Sequence, residues 1–104
     1  MEKALSRKIV AVNPNLLAHW CPACDGFHLV FINKPNGFDQ VWFWNGDVET
    51  PTFRPNLGTP NHCHYRITSG DITYLQDSKH ILAGKTFSMP DIPLDIPVMF
   101  NVSK

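Results

Sequence analysis

Prolines decide first what this chain can become. Pro51, Pro55 and Pro60, with Gly58 among them, remove backbone donors and forbid a helix interior across residues 50–60. Pro90, Pro93 and Pro97 do the same near the end. The first stretch is expected to be an irregular, extended connection, and the second an extended tail carrying Val98-Met99-Phe100 as an edge strand. Elsewhere the runs are β-branched and aromatic. Residues 8–12 read as a strand closed by Asn13-Pro14-Asn15, a turn in which proline fixes φ and asparagine can satisfy its own backbone. Residues 27–32 read as a second, largely buried strand. Turn signals at 34–37 and 45–47 bracket a strand at 41–44, and residues 63–68 and 72–75 flank Ser69-Gly70-Asp71 as a tight hairpin. Only 77–84 can form a helix, a single turn capped by Asp77 or Ser78 and ended by Gly84. The expected architecture is mostly β: a small antiparallel β fold with one short helical turn. It is one domain over residues 1–104, with flexible ends at 1–6 and 101–104.

At 104 residues, 43% of them hydrophobic, the chain has material for one core. Nine Lys and Arg balance nine Asp and Glu, which leaves no bulk charge to condense on phosphate backbones or acidic lipid. Nucleic acid and membrane are therefore set aside as partners, and another protein is expected. The apolar runs at 29–32 and 41–44 are far shorter than the roughly 18 to 20 residues that cross a bilayer. Residues 1–8 lack the apolar centre of a secretory signal, which places the chain in a reducing cytoplasm.

Three cysteines cannot all pair within one chain, so a disulfide framework is the poorer reading. A structural metal is one of the few other reinforcements open to a domain this small. Cys21-Pro22-Ala23-Cys24 supplies half a zinc site, since two thiols three positions apart around a turn can face one ion while loop amides bond the sulfurs. The same spacing serves a redox dithiol, but that chemistry belongs at a helix start in a βαβ unit, and none is visible here. Cys63 is the expected third ligand, a soft donor that matches the knuckle. The fourth stays open between His80, just beyond the hairpin, and His28, four residues past Cys24, with His64 as a further alternate.

In the strand at 63–68, Cys63, Tyr65 and Ile67 share one face and His64, Arg66 and Thr68 the other. If Cys63 binds the metal, His64 is free for something else. With Asp77 and Ser78 it makes a candidate catalytic set of nucleophile, base and acid, or an outer shell for the metal. Asp77 and Ser78 are equally well explained as caps. The tryptophans of Trp42-Phe43-Trp44 are expected on both sides of a strand, with at least one near the surface unless both faces are covered; core packing is their expected role, and an aromatic contact surface for a partner is the alternative.

Several separated motifs in a fixed order resemble a family. They are Trp20-Cys21-Pro22-Ala23-Cys24 with His28; Trp42-x-Trp44-Asn45-Gly46-Asp47-Val48-Glu49-x-Pro51-Thr52-Phe53-x-Pro55; Cys63-His64-Tyr65; and Gly70-x-Ile72-x-Tyr74-Leu75-x-Asp77-Ser78-x-His80 running on to Leu82-Ala83-Gly84-Lys85-Thr86. Together they resemble a family of small phage and prophage proteins related to the peptidase-like component of bacterial operons for ubiquitin-like conjugation. The resemblance implies a metal-bound β fold, phage-encoded and therefore acting in the host cytoplasm, with hydrolysis of a ubiquitin-like conjugate as its activity. It also exposes departures. Relatives carry serine directly after Pro55, where this chain has Asn56, and cysteine at position 78, where this chain has serine. Two readings follow. One is a zinc-binding interaction module that interferes with a host system; the other is a hydrolase using either an open metal position or His64, Asp77 and Ser78.

Overall fold

A computed structural model describes residues 3–33 and 40–93. They form two antiparallel sheets and, among the described residues, no helix. The first sheet is a meander of β1 (Lys3–Ala4), β2 (Ile9–Asn13), β3 (Leu16–Cys21) and β4 (Gly26–Phe31). The second is a meander of β5 (Phe43–Trp44), β6 (Phe53–Thr59), β7 (Cys63–Thr68), β8 (Asp71–Tyr74) and β9 (Thr86–Ser88). The expected turn at 34–37, the edge strand at 98–100 and the end at 101–104 lie outside the described residues. No helix among the described residues is long and apolar enough to cross a membrane.

Local chemistry sets the turns. Asn13 accepts the Asn15 amide on its side-chain oxygen at 2.8 Å, closing β2 onto β3. Ser69 and Gly70 take φ of 50° and 83° between the paired residues Thr68 and Asp71, as a two-residue hairpin of this twist requires. The sheets pack face to face: Ile9, Leu17 and Val30 of the first meet Phe53, Leu57, Tyr65, Ile67, Ile72 and Tyr74 of the second in one core. Each of the aliphatic and phenylalanine side chains contributes about 1.5–3 kcal/mol when fully buried. On β7 the alternation is as the sequence required, with Cys63, Tyr65 and Ile67 buried and His64, Arg66 and Thr68 turned outward.

Four expectations need correction. Residues 53–59 are a strand, β6, and not an irregular connection: Arg54, Pro55 and Asn56 stand opposite Arg66 alone in a bulge, where a proline without a donor costs the ladder nothing. The segment 77–84 is a pair of turns and not helical. Its amides are drawn away, Lys79 N–H to the His62 carbonyl in the turn between β6 and β7 and Gly84 N–H to the Tyr74 carbonyl on β8, so no helical ladder forms. The strand at 27–32 is buried on one face only; Phe27 and Leu29 are exposed. Trp42 and Trp44, two positions apart, share one side and are half-buried against the core, while Phe43 points outward.

Candidate functional site

β3 ends at Cys21, the turn carries Cys24, and β4 returns from Gly26, which pairs with Cys21. The inward face of β4 then presents His28 beside the first residue of β7, Cys63. The donor atoms of Cys21, Cys24, His28 and Cys63 all lie within 4.8 Å of one another. Cys21 and Cys63 sulfurs are 3.9 Å apart, and Cys63 Sγ is 3.6 Å from His28 Nε2. Donors placed tetrahedrally around one ion at sulfur and nitrogen bond lengths are separated by roughly 3.5–3.8 Å, so the observed spacings fit a metal ion. They exclude a disulfide, whose sulfurs sit about 2.05 Å apart, and all three cysteines are free. The four residues could hold a metal ion, with Cys21 and Cys63 buried and Cys24 on the solvent side.

An outer layer of polar groups orients the donors. The Tyr74 hydroxyl lies 3.1 Å from Cys21 Sγ. Burial works against ionisation of Cys21, but hydrogen bonds from His28, from that hydroxyl and from the Cys24 amide outweigh it and bring the thiol down to about 6. Burial pushes the Cys63 thiol up, with help from its thiol neighbours. Cys21 is therefore the sulfur that ionises first. Behind His28, the Tyr65 ring packs at 5.2 Å, and the Tyr65 hydroxyl meets His19 Nε2 at 2.7 Å. His19 is fully enclosed, and burial, reinforced by His28, drops it to about 3, so its imidazole is neutral.

Of the histidines weighed as the fourth donor, it is His28 that joins the three thiols. His80 lies outside the cluster: its ring stands edge-on to Tyr74 at 4.7 Å, and Nδ1 accepts the Leu82 amide. The β7 alternation turns His64 to the opposite face, where Nδ1 lies 3.2 Å from both carboxylate oxygens of Asp77. The Asn61 amide and then His64 hold the Asp77 carboxyl below its usual range. The candidate catalytic residues His64, Asp77 and Ser78 are thus neighbours, but Ser78 addresses the backbone and not the imidazole. Its hydroxyl donates to the His64 carbonyl at 2.8 Å and accepts the His64 amide at 3.0 Å. There is no helical turn for Asp77 or Ser78 to cap: Asp77 accepts the Asn61 amide at 2.8 Å in the turn before β7, and Ser78 binds the His64 backbone.

Two features on this outward face were not singled out from the sequence: the β6 bulge, and the cleft it opens between Arg54, Pro55, Asn56 and Arg66. The shared parity of His64 and Arg66 was the available signal. Comparison with curated proteins and with solved structures yields no match. The family described as the bacterial ubiquitination-like system serine protease (BubE) matches residues 1–75, a span that contains all four candidate metal donors, the bulge and His64, and the chain belongs to that family.

Proposed function

We propose that this chain is a metal-braced, binding member of the BubE family that engages a ubiquitin-like protein without cleaving it. The observation that carries this reading is at the β6 bulge. Where the resemblance puts a serine, position 56 is asparagine, whose amide cannot serve as a hydroxyl nucleophile. Two other serines have their hydroxyls engaged elsewhere. Ser78 is engaged with the His64 backbone, and Ser6 accepts the Lys8 and Ile9 amides while donating to the Val48 carbonyl. His64 and Asp77 keep the arrangement of a base steadied by an acid, and without a hydroxyl to activate they serve as polar binding groups.

Zinc is the metal that suits the donors. Three thiolates and an imidazole fill a tetrahedral ion, leaving no position for an activated water and making it a weak Lewis acid. When bound, the ion supplies a cross-link between the two sheets. Encoded by a phage, such a binder would occupy the ubiquitin-like substrate of the host system. The test is to incubate the chain with a bacterial ubiquitin-like protein fused at its C-terminus to a reporter. The expected result is an intact fusion, while in a parallel run the free ubiquitin-like protein co-elutes with the chain in gel filtration. Reporter release that disappears in His64→Ala would overturn the reading and favour the alternative, a hydrolase, for which the His64–Asp77 pair is the supporting observation.

A further inference from the structure

The bulge in β6 does more than accommodate a proline. Because Arg54, Pro55 and Asn56 stand opposite Arg66 alone, the strand lifts from its neighbour and opens a cleft of about 560 Å³, with Phe53 and Thr68 completing its wall. That size lies within the range of ligand clefts. Its charge is one-sided. None of the lining residues is acidic, two are arginines, and neither guanidinium forms an ion pair with a described residue. Arg54 is instead steadied over the Phe43 ring, at 5.6 Å from its centre. In a chain of zero net charge, two guanidiniums in one cleft with no ion pair among the described residues are a local arrangement and not the spill-over of a basic surface.

Backbone supply points the same way. β5 covers β6 only at Phe53 and Arg54, so that beyond Arg54 no described strand pairs with the outer edge of β6. An extended chain can add to such an edge. One carbonyl, that of Asn56, is already taken by the Trp42 indole N–H at 3.0 Å, which leaves an end and not the middle of an incoming strand at the arginines. A planar guanidinium matches a carboxylate in a two-point hydrogen bond.

We propose that this cleft binds the free C-terminal carboxylate of an extended polypeptide, with Arg54 and Arg66 pairing the carboxylate, Asn56 and Thr68 offering side-chain hydrogen bonds, and Phe53 and Pro55 supporting the last residues. The proposal rests on the reading of the chain as a binding protein and names the chemical group it recognises: a released tail, not one whose carboxyl is tied up in an amide.

The experiment is an NMR titration of the isotope-labelled, metal-loaded full chain with the peptide N-acetyl-Ala-Leu-Ala-Gly as free acid, with the same peptide as its C-terminal amide, and with inorganic phosphate. The free acid is expected to shift the signals of Arg54, Asn56, Arg66 and Thr68 and to bind about tenfold or more tightly than the amide, the loss expected when a charge-assisted pair becomes a neutral contact. Arg66→Gln should erase that preference while leaving metal content and melting temperature unchanged. Equal binding of acid and amide, no response to the acid at millimolar concentration, or a response to phosphate as strong as that to the acid would each overturn the proposal. Reporter release in the fusion assay would end the binding-only reading and leave the carboxylate preference standing; loss of the preference without any hydrolysis would do the reverse.

Discussion

Cys21 and Cys24 are three positions apart yet carry unequal weight, because β3 buries the first and the turn leaves the second exposed. Cys21→Ser removes the thiol that ionises first and leaves a hydroxyl enclosed beside Tyr74, so both the metal and the packing suffer. The expected loss is of order 3 kcal/mol or more, since metal-binding energy is folding energy in a small domain. Cys24→Ser should cost clearly less and keep a weakened site. At the fourth position, His28→Ala should lower bound zinc after purification, and His80→Ala should leave it at the wild-type level. Elemental analysis alongside thermal melts checks all four variants, and equal zinc in His28→Ala and wild type would remove His28 from the donor set. The thiol part of this cluster was legible, because the spacing of Cys21 and Cys24 makes a thiolate knuckle and Cys63 is the one further thiol that matches it. The histidine was not. His28 lies close behind Cys24 in the chain and His80 follows the hairpin that Cys63 begins, so either could reach the thiols, and only the direction of the Cys21–Gly26 hairpin settles which imidazole faces the sulfurs.

Strands were readable where one face is apolar and the other is not, and failed where that contrast is lost. β7 was placed with the right parity because buried and outward residues alternate along it. β3 was missed because Leu16, Leu17, Ala18, His19 and Cys21 are all buried, so its residues show no period of two. β6 was missed because Pro55 and Gly58 argue against a strand unless a bulge is known to hold them. Gly58 has φ +82°, and a Cβ there would overlap the Cys63 carbonyl oxygen. Only glycine lets β6 come this close to the residue that carries the third thiol. Gly58→Ala should therefore destabilise the fold by at least about 2 kcal/mol, through left-handed strain and displaced backbone together, and should lower zinc affinity as Cys63 shifts. Urea unfolding and a chelator competition measure the two effects separately. Full stability in Gly58→Ala would mean that the close approach of β6 and β7 is not needed.

Taken whole, the molecule is two meanders joined through their facing sides, and at one end that junction is polar: four metal donors, His19 and the hydroxyls of Tyr65 and Tyr74. Such a junction makes stability depend on pH in a direction that follows from His19. Its ordinary value of 6.5 falls to about 3 in the fold. Between those limits the unfolded chain takes up a proton that the folded chain refuses, so the His19 contribution is complete above pH 6.5 and declines on acidification, with a slope approaching about 1.4 kcal/mol per pH unit. Protonation of the thiolates releases metal over an overlapping range, which hides this contribution in a single melting curve. A difference isolates it. His19→Gln keeps a polar partner for the Tyr65 hydroxyl and loses the titration, so the stability advantage of wild type over His19→Gln should shrink steadily between pH 7 and pH 5, with zinc in excess throughout. A gap that stays constant would mean that His19 gains its proton in the fold as readily as in the unfolded chain, and that the junction between the sheets is open to water rather than sealed behind the metal donors.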